Sequence, residues 1–358
     1  MRMFSVFVLA AIAAGCTSQV YEENVGQTQS ASTALAGYAR LAVGNAKMAG
    51  NADLIAIQDD DVYVRRSSPA NSAFLAKNKM FDNTDSAIHW FADVNGDGYV
   101  DMVKSNDTDY GEIDYFQVRL NDQDGGFGSQ QSWNNDQGDD EVTWPGVFAD
   151  FDGDDNADYV SMVFSNGDVL FRVHLSDGSG FDVETWHTWD SSGNEFIYMG
   201  ELIGAADVND DDCADIVWAG ASSQQDQIRV MLANSSCDGF EDIETWRDGV
   251  ASTGSEFTLC DADGDGNADI VRHRSDTSPN KVVVIPSDGV DEFTGSSVWY
   301  SGSSLNDGEV HCAQVDGANG DDIIIADSNV QVAISTSSDS FSTPTDWTTN
   351  SFLSDWEY

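Results

Sequence analysis

The stretch Asp261-Ala262-Asp263-Gly264-Asp265-Gly266-Asn267-Ala268-Asp269 sets carboxylates at loop positions 1, 3, 5 and 9 and a glycine at position 6. An EF-hand calcium loop also spaces short oxygen side chains at alternate positions and needs a glycine at position 6 for its sharp turn. Hard, anionic oxygens so arranged suit a calcium ion. The EF-hand closes its shell with a bidentate Glu at position 12, whereas this stretch offers Asp269 at position 9 and runs into the apolar Ile270-Val271. It therefore reads as a loop leading into a strand, not a helix.

The same phrase recurs. Asp93, Asn95, Asp97, Gly98 and Asp101 repeat it, as do Asp150, Asp152, Asp154 and Asp158, and Asp207, Asn209, Asp211 and Asp215. Two eroded copies keep the frame: Asn45, Lys47, Ala49, Gly50 and Asp53 near the start, and Gln314, Asp316, Ala318 and Asp322 near the end. First positions fall at 45, 93, 150, 207, 261 and 314, steps of 48 to 57 residues, and a period in that range marks an array of supersecondary units. Acidic turns without metal are the alternative reading. It fits the two eroded copies, but several carboxylates converging in nine residues repel one another unless a cation joins them.

Composition bounds the array. A chain of 358 residues with 41% hydrophobic and 11% aromatic content can bury a large core despite its net charge of −48. Only 13 of the 63 acidic residues are Glu, so the acid is mostly Asp, a residue of turns and metal loops. The 32 glycines point to many short strands joined by tight turns.

The chain opens with a basic start, an apolar run over 4–12 and Ala13-Ala14-Gly15-Cys16. This describes a secretory signal over 1–16, because a membrane span needs about 20 apolar residues. Small residues before a cysteine resemble the lipobox of bacterial lipoproteins, with Ala13 where that box usually has Leu. The resemblance implies lipidation at Cys16 and an exported protein, extracellular or anchored at the cell surface; ordinary cleavage nearby is the alternative. Residues 17–35 read as a polar tether.

From about residue 36 each repeat has one layout. An apolar stretch (144–149) leads into the loop, strands follow over 159–164 and 169–175 around the turn Ser165-Asn166-Gly167-Asp168, and a fourth comes after a Gly-rich turn. Phe127, Phe181, Phe240, Phe293 and Phe341 each follow that turn, with Trp133, Trp186, Trp246, Trp299 and Trp347 five or six residues on; the first repeat has Phe74 and Met80. The aromatic pairs are expected to pack each sheet against its neighbour. Four antiparallel strands per period of about 54 residues make a β-propeller blade. The expected fold is all-β, one propeller over 36–358 with six four-stranded blades, preferred to seven because no half-blade is left over.

These phrases, with Asp/Gly-Phe after the later strands, resemble the FG-GAP or VCBS repeat, the propeller unit also found in integrin α-subunit heads. The resemblance covers nearly all the chain after the tether. It implies that each intact loop binds Ca²⁺, about four ions in all, through side chains at positions 1, 3, 5 and 9 and the backbone carbonyl at position 7. Position 7 is Tyr99, Asn156, Cys213 and Asn267. Position 6 departs from glycine at Asp155 and Asp212, which tolerate a positive φ at some cost.

Besides Cys16 there are four cysteines, an even count that in an exported chain suggests disulfides. A meander puts its first and third turns at one end, bringing Cys213 near Cys237, while Cys260 and Cys312 end the innermost strands of adjacent blades. Cys213–Cys237 with Cys260–Cys312 is therefore preferred among the three pairings.

Fold and metal do not name a ligand. Three readings compete: a binding or adhesion module for a glycan or surface protein, a polysaccharide lyase or other glycan-active enzyme, and a structural surface protein. The five His, at 89, 174, 187, 273 and 311, are scattered and form no catalytic signature. Fifteen Lys and Arg serve an anionic substrate poorly, although Arg229, Arg272, Arg274 and Lys281 are a local exception. Even four Ca²⁺ leave the charge near −40, which repels nucleic acid and anionic membranes, leaving a lipid anchor as the only membrane link. The face opposite the Asp-rich loops carries longer, more varied loops, where binding usually resides. Tyr110, Trp144, Tyr198 and Tyr300 are its candidate sugar-stacking platforms, packing at strand ends being the plainer role.

Overall fold

The computed structural model describes residues 22–24, 33–35, 39–44, 51–58, 61–82, 89–105, 115–124, 126–134, 142–165, 168–190, 201–219, 227–250, 256–327, 329–337 and 339–348. They form an all-β propeller of six blades.

Each blade is a four-stranded antiparallel meander ordered from the centre outwards. Blade 3, the longest, runs Val142–Ala149, Asp158–Ser165, Asp168–Ser176 and Phe181–Asp190. Blade 5 runs Glu256–Cys260, Asp269–Arg274, Asn280–Ile285 and Ser297–Gly302. Blade 6 runs Glu309–Ala313, Asp322–Ala326, Val330–Ala333 and Thr345–Asp346. Second strands are apolar on both faces because each blade is sandwiched between two others: Asp215–Ala219 of blade 4 and Asp322–Ala326 of blade 6 are buried at every residue. Outer strands are largely exposed apart from one inward-pointing residue, as in Glu244–Asp248 of blade 4, where Trp246 is buried. A register shift between third and outer strands recurs in blades 1, 3, 4 and 5, at Val62/Tyr63, Phe171/Arg172, Ile228/Arg229 and Val282/Val283. Such bulges increase local twist and blunt an outer edge.

Two short strands come from the segment read as a tether. Thr33–Leu35 pairs antiparallel with Ala39–Gly44, the inner strand of blade 1. Glu22–Asn24 pairs parallel with Glu201–Ala206, the inner strand of blade 4, and lies against the inner strands of blades 3 and 5, so it sits inside the ring.

The core is six apolar clusters, one at each junction between blades. Two devices repeat around them. The outer tryptophan of one blade packs on the post-turn phenylalanine of the next: Trp133 on Phe181, Trp186 on Phe240, Trp246 on Phe293 and Trp299 on Phe341, ring centroids 5.1–5.3 Å apart. Trp347 on Phe74 at 5.3 Å closes the ring from blade 6 to blade 1, and Met80 with Phe127 fills the corresponding place between blades 1 and 2. The second device is a main-chain bond that spans the Asp-rich loops. The position-8 N–H of one loop donates to the position-1 carbonyl of the preceding blade: Ala157 to Asp93, Ala214 to Asp150, Ala268 to Asp207, Asp321 to Asp261 and Ala52 to Gln314, at 2.7–2.9 Å. Closure uses the same links as the other junctions rather than a blade shared between the chain's two ends.

The expected disulfides form. Cys213 and Cys237, Cα atoms 6.1 Å apart, join loop and turn within blade 4, and Cys260–Cys312, 6.0 Å apart, staples blade 5 to blade 6.

Candidate metal loops

The position-9 aspartate anchors every loop. Asp53, Asp101, Asp158, Asp215, Asp269 and Asp322 are all buried. In the last five, one oxygen accepts the position-2 N–H of its own loop and the other accepts an N–H at the end of the third strand. Asp158 takes Phe151 N–H at 3.0 Å and Ser176 N–H at 2.7 Å, and Asp269 takes Ala262 N–H at 3.2 Å and Ser287 N–H at 3.0 Å. Asp101, Asp215 and Asp322 do the same. Asp53, in the eroded first copy, accepts Ser67 N–H at 2.9 Å. This double fastening of loop to sheet was missed in the sequence, although its signal was present: position 9 stays Asp in both eroded copies.

The position-1 aspartate is the hub of each intact loop. One oxygen of Asp261 accepts N–H from Gly264 at 2.7 Å and Asp265 at 3.0 Å, and the other accepts Gly266 N–H at 3.1 Å. Asp150 binds Gly153, Asp154 and Asp155 in the same order at 2.7, 3.0 and 2.8 Å. Asp93 and Asp207 repeat the nest. Curling the chain so tightly needs a positive φ twice, at positions 4 and 6. Position 4 is Gly96, Gly153, Asp210 and Gly264, and position 6 is Gly98, Asp155, Asp212 and Gly266. Asp155 and Asp212 thus adopt the positive φ expected of position 6, at 71° and 66°. The need at position 4 was not foreseen.

Position-5 carboxylates accept the position-7 N–H, from Tyr99 at 3.0 Å, Asn156 at 2.8 Å, Cys213 at 3.1 Å and Asn267 at 2.9 Å. Position-7 side chains have work of their own. The Asn156 amide reaches its blade's next turn at the Ser176 carbonyl, and Cys213 reaches the equivalent turn through its disulfide. Loops and third-to-outer turns share one face, as expected; Gln123 of the blade 2 turn donates to Asp97 at 3.0 Å.

What remains at the loop centre is oxygen. Asp150, Asp152 and Asp158 bring carboxylate oxygens within 4.8 Å of one another, as do Asp261, Asp263 and Asp265. Two position-3 oxygens, Oδ1 of Asp152 and of Asn209, are enclosed without a hydrogen-bond partner. In a folded protein such an oxygen is costly unless something else binds it. Asn95 and Asn209 turn their amide nitrogens to the position-5 carboxylates, at 3.3 and 3.1 Å; the Asn209 oxygen is left for a ligand, while that of Asn95 also accepts the Asp97 N–H at 3.1 Å. Burial, then neighbouring carboxylates, raises the acids: Asp93 and Asp150 to about 6, Asp269 to about 8, and Asp101, Asp158 and Asp215 well above the ordinary range. The donor set of Asp93, Asn95, Asp97 and Asp101, and its three counterparts, fits a hard divalent cation.

The opposite face is thinly described. Tyr110, Tyr198 and Cys16 lie outside the described residues, and Trp144 lies in the inner strand of blade 3, its side chain outside the description. Tyr300 packs on the core between blades 5 and 6 and hydrogen-bonds Ser304 at 2.6 Å, so it fills a strand end rather than forming a platform. No described aromatic side chain is exposed. The basic cluster does not converge: Arg274 binds Asp276 through two bonds of 3.1 Å, Arg272 lies over Phe257, and Arg229 donates to Gln227. Ser161 and His174 come within 3.3 Å, a juxtaposition the sequence concealed. Both are fully buried among Phe116 and Tyr159, and burial holds His174 down to about 3, so the pair packs as a neutral part of the core.

No protein-family model matches the chain, and no curated protein matches it. Among solved structures it is similar to an Agrocybe aegerita lectin described as specifically recognising non-reducing terminal N-acetylglucosamine: 17% identity, TM-score 0.58, covering 89% of this chain and 82% of that one. It also matches the Dos1 propeller, at 12% identity and TM-score 0.41 over 82% of this chain and 68% of that one. The exotype rhamnogalacturonan lyase YesX matches at 12% identity and TM-score 0.35 over 80% and 69%. At these identities the likeness is one of fold, and the two weaker matches carry no argument. The comparison with the lectin and the strand order together establish the six-bladed propeller as this chain's architecture.

Proposed function

We propose that this protein is an exported, calcium-stabilised propeller of the FG-GAP/VCBS kind that acts as a binding module for a neutral glycan. The observation that carries the calcium half is the enclosed, unpartnered position-3 oxygen, repeated in two loops whose other donors are already oriented by main-chain bonds. Asp93, Asn95, Asp97 and Asp101, and the same positions in blades 3, 4 and 5, would hold the ions with the carbonyls of Tyr99, Asn156, Cys213 and Asn267. The cation supplies positive charge that offsets the carboxylate repulsion and ties each loop into one piece. Two disulfides within the folded core support an extracellular setting.

The glycan half is supported by shared architecture with a lectin and by a net charge of −48, which favours uncharged or cationic partners over polyanions. The lyase reading loses ground: His89, His174, His273 and His311 are buried, and Arg229, Arg272 and Arg274 are engaged locally. A glycan array probed in calcium and in chelator, with terminal N-acetylglucosamine included, tests the reading. Binding that needs calcium is the expected result. Product release over time would move the protein to the enzymes, and silence in both conditions would leave a scaffold.

A further inference from the structure

The eroded loop of blade 6 has a centre of its own. Gln314 takes position 1, and its side-chain oxygen accepts N–H from Asp316 at 3.2 Å and Gly317 at 2.8 Å, positions 3 and 4, where one oxygen of Asp261 serves positions 4 and 5 one blade earlier. Its nitrogen points at three carbonyls, Ala318 and Asn319 at 3.4 Å and Gly320 at 3.1 Å. Gly320 is position 7, whose carbonyl is read as a cation ligand in the intact loops. The assignment of oxygen and nitrogen is unambiguous, because one end meets only N–H donors and the other only carbonyl acceptors.

Apart from Ala318, which leaves position 5 without a carboxylate, the backbone of this loop follows the intact pattern. Gly317 and Asn319 adopt positive φ of 78° and 62° at positions 4 and 6, and Asp322 fastens the loop through Val315 and Ser335 N–H at 2.9 and 2.8 Å. The backbone is that of a metal loop with an amide at its centre. We propose that the Gln314 amide nitrogen stands in for the cation in the sixth loop: a neutral internal donor takes the ion's place and makes the junction that closes the propeller independent of calcium. The main-chain carbonyl of Gln314 also accepts the Ala52 N–H of blade 1 at 2.7 Å, the crossing bond found at the other junctions, so the amide sits where the ring closes. The loop is also a latent ion site, since Asp316, Asp322 and the Gly320 carbonyl stay at ligand positions. The inference rests on the reading of the intact loops only for the identity of the ion replaced.

The test compares melting of the full-length protein with Gln314→Glu, which keeps the length and an acceptor oxygen but loses the donor, and with Gln314→Met, which keeps only the length. In excess chelator both variants should melt several degrees below the unaltered protein. Calcium should restore Gln314→Glu, with one additional ion bound in a calorimetric titration, and should leave Gln314→Met low. Unchanged melting of both variants in chelator overturns the proposal. So does a loss in Gln314→Glu that calcium leaves unrepaired, because the nitrogen would then not stand at an ion's position. If the unaltered protein binds no calcium, the reading of the intact loops fails, while the chelator arm still decides the role of Gln314.

Discussion

Loops 261–269 and 314–322 trace one path with opposite chemistry at the centre. Both end in a buried Asp that binds two main-chain N–H groups, and both turn twice through positive φ. Blade 5 fills the middle with the three carboxylates of Asp261, Asp263 and Asp265, and blade 6 fills it with the two-sided amide of Gln314. The path therefore does not depend on the ion. Position 9 and the crossing main-chain bond set the frame, and position 1 decides what must occupy it.

Chelation should separate the two loops most widely. Extracellular calcium modules bind at about 10⁻⁴–10⁻³ M, so about 10 mM calcium stabilises by roughly 1.4–2.7 kcal/mol per occupied site. Removing it from four sites should lower the melting temperature markedly. Amide hydrogen exchange should quicken over 261–269 and stay slow over 314–322; equal loss of protection in both would erase the distinction.

Asp269→Ala and Asp322→Ala come next. Each leaves two buried N–H groups without an acceptor, at a cost on the order of 2–5 kcal/mol. In chelator the two variants should be equally damaged. In calcium only Asp269→Ala should also lose a bound ion. If Asp322→Ala melts like the unaltered protein, the fastening role of position 9 is wrong.

Single ligands should matter less. Asp265→Ala is expected to abolish one ion by calorimetric titration with little change in the chelated melt, and Asp316→Ala to leave the ion count intact. A lost ion in the second variant would make blade 6 a metal blade.

The smallest expected effect is that of pH on the chelated protein. Asp269 and Asp322 are raised to about 8 and Asp93 to about 6 by burial, against about 3.9 for an unfolded Asp. The folded state holds these protons more tightly, so their contribution is complete below about pH 4 and is lost as pH rises through 6 and then 8. Chelated protein should therefore melt lower at pH 8 than at pH 5. Calcium favours the ionised acids at its sites, so the gap between calcium and chelator should widen with pH; a gap that narrows would contradict the placement of Asp93 and Asp269 at the ions.

Much of this was legible because it repeats. The step between Asp-Xaa-Asp phrases gave the blades, the Phe and Trp spacing gave the junctions, meander geometry gave Cys213–Cys237, and the ends of adjacent inner strands gave Cys260–Cys312. Position 4 was opaque because Gly96, Gly153 and Gly264 resemble ordinary turn glycines, and only the curled backbone shows that φ must be positive there. The Asp261–Asp321 bond was opaque for another reason: it joins main-chain atoms of different blades, and main-chain atoms leave no mark in a sequence. Gln314 was read as erosion because a pattern of acids registers an amide as a missing acid.

The crossing bonds carry a last consequence, for topology. Ala52 to Gln314 and Trp347 to Phe74 join blades 6 and 1 by the same contacts that join blades 3 and 4, which makes the blade that comes first in the gene arbitrary. Joining the outer strand of blade 6 to the inner strand of blade 1 and reopening the chain between blades 3 and 4 should give a circular permutant that folds to the same ring with a similar melt. Failure of that permutant to fold would reveal that one junction is privileged after all.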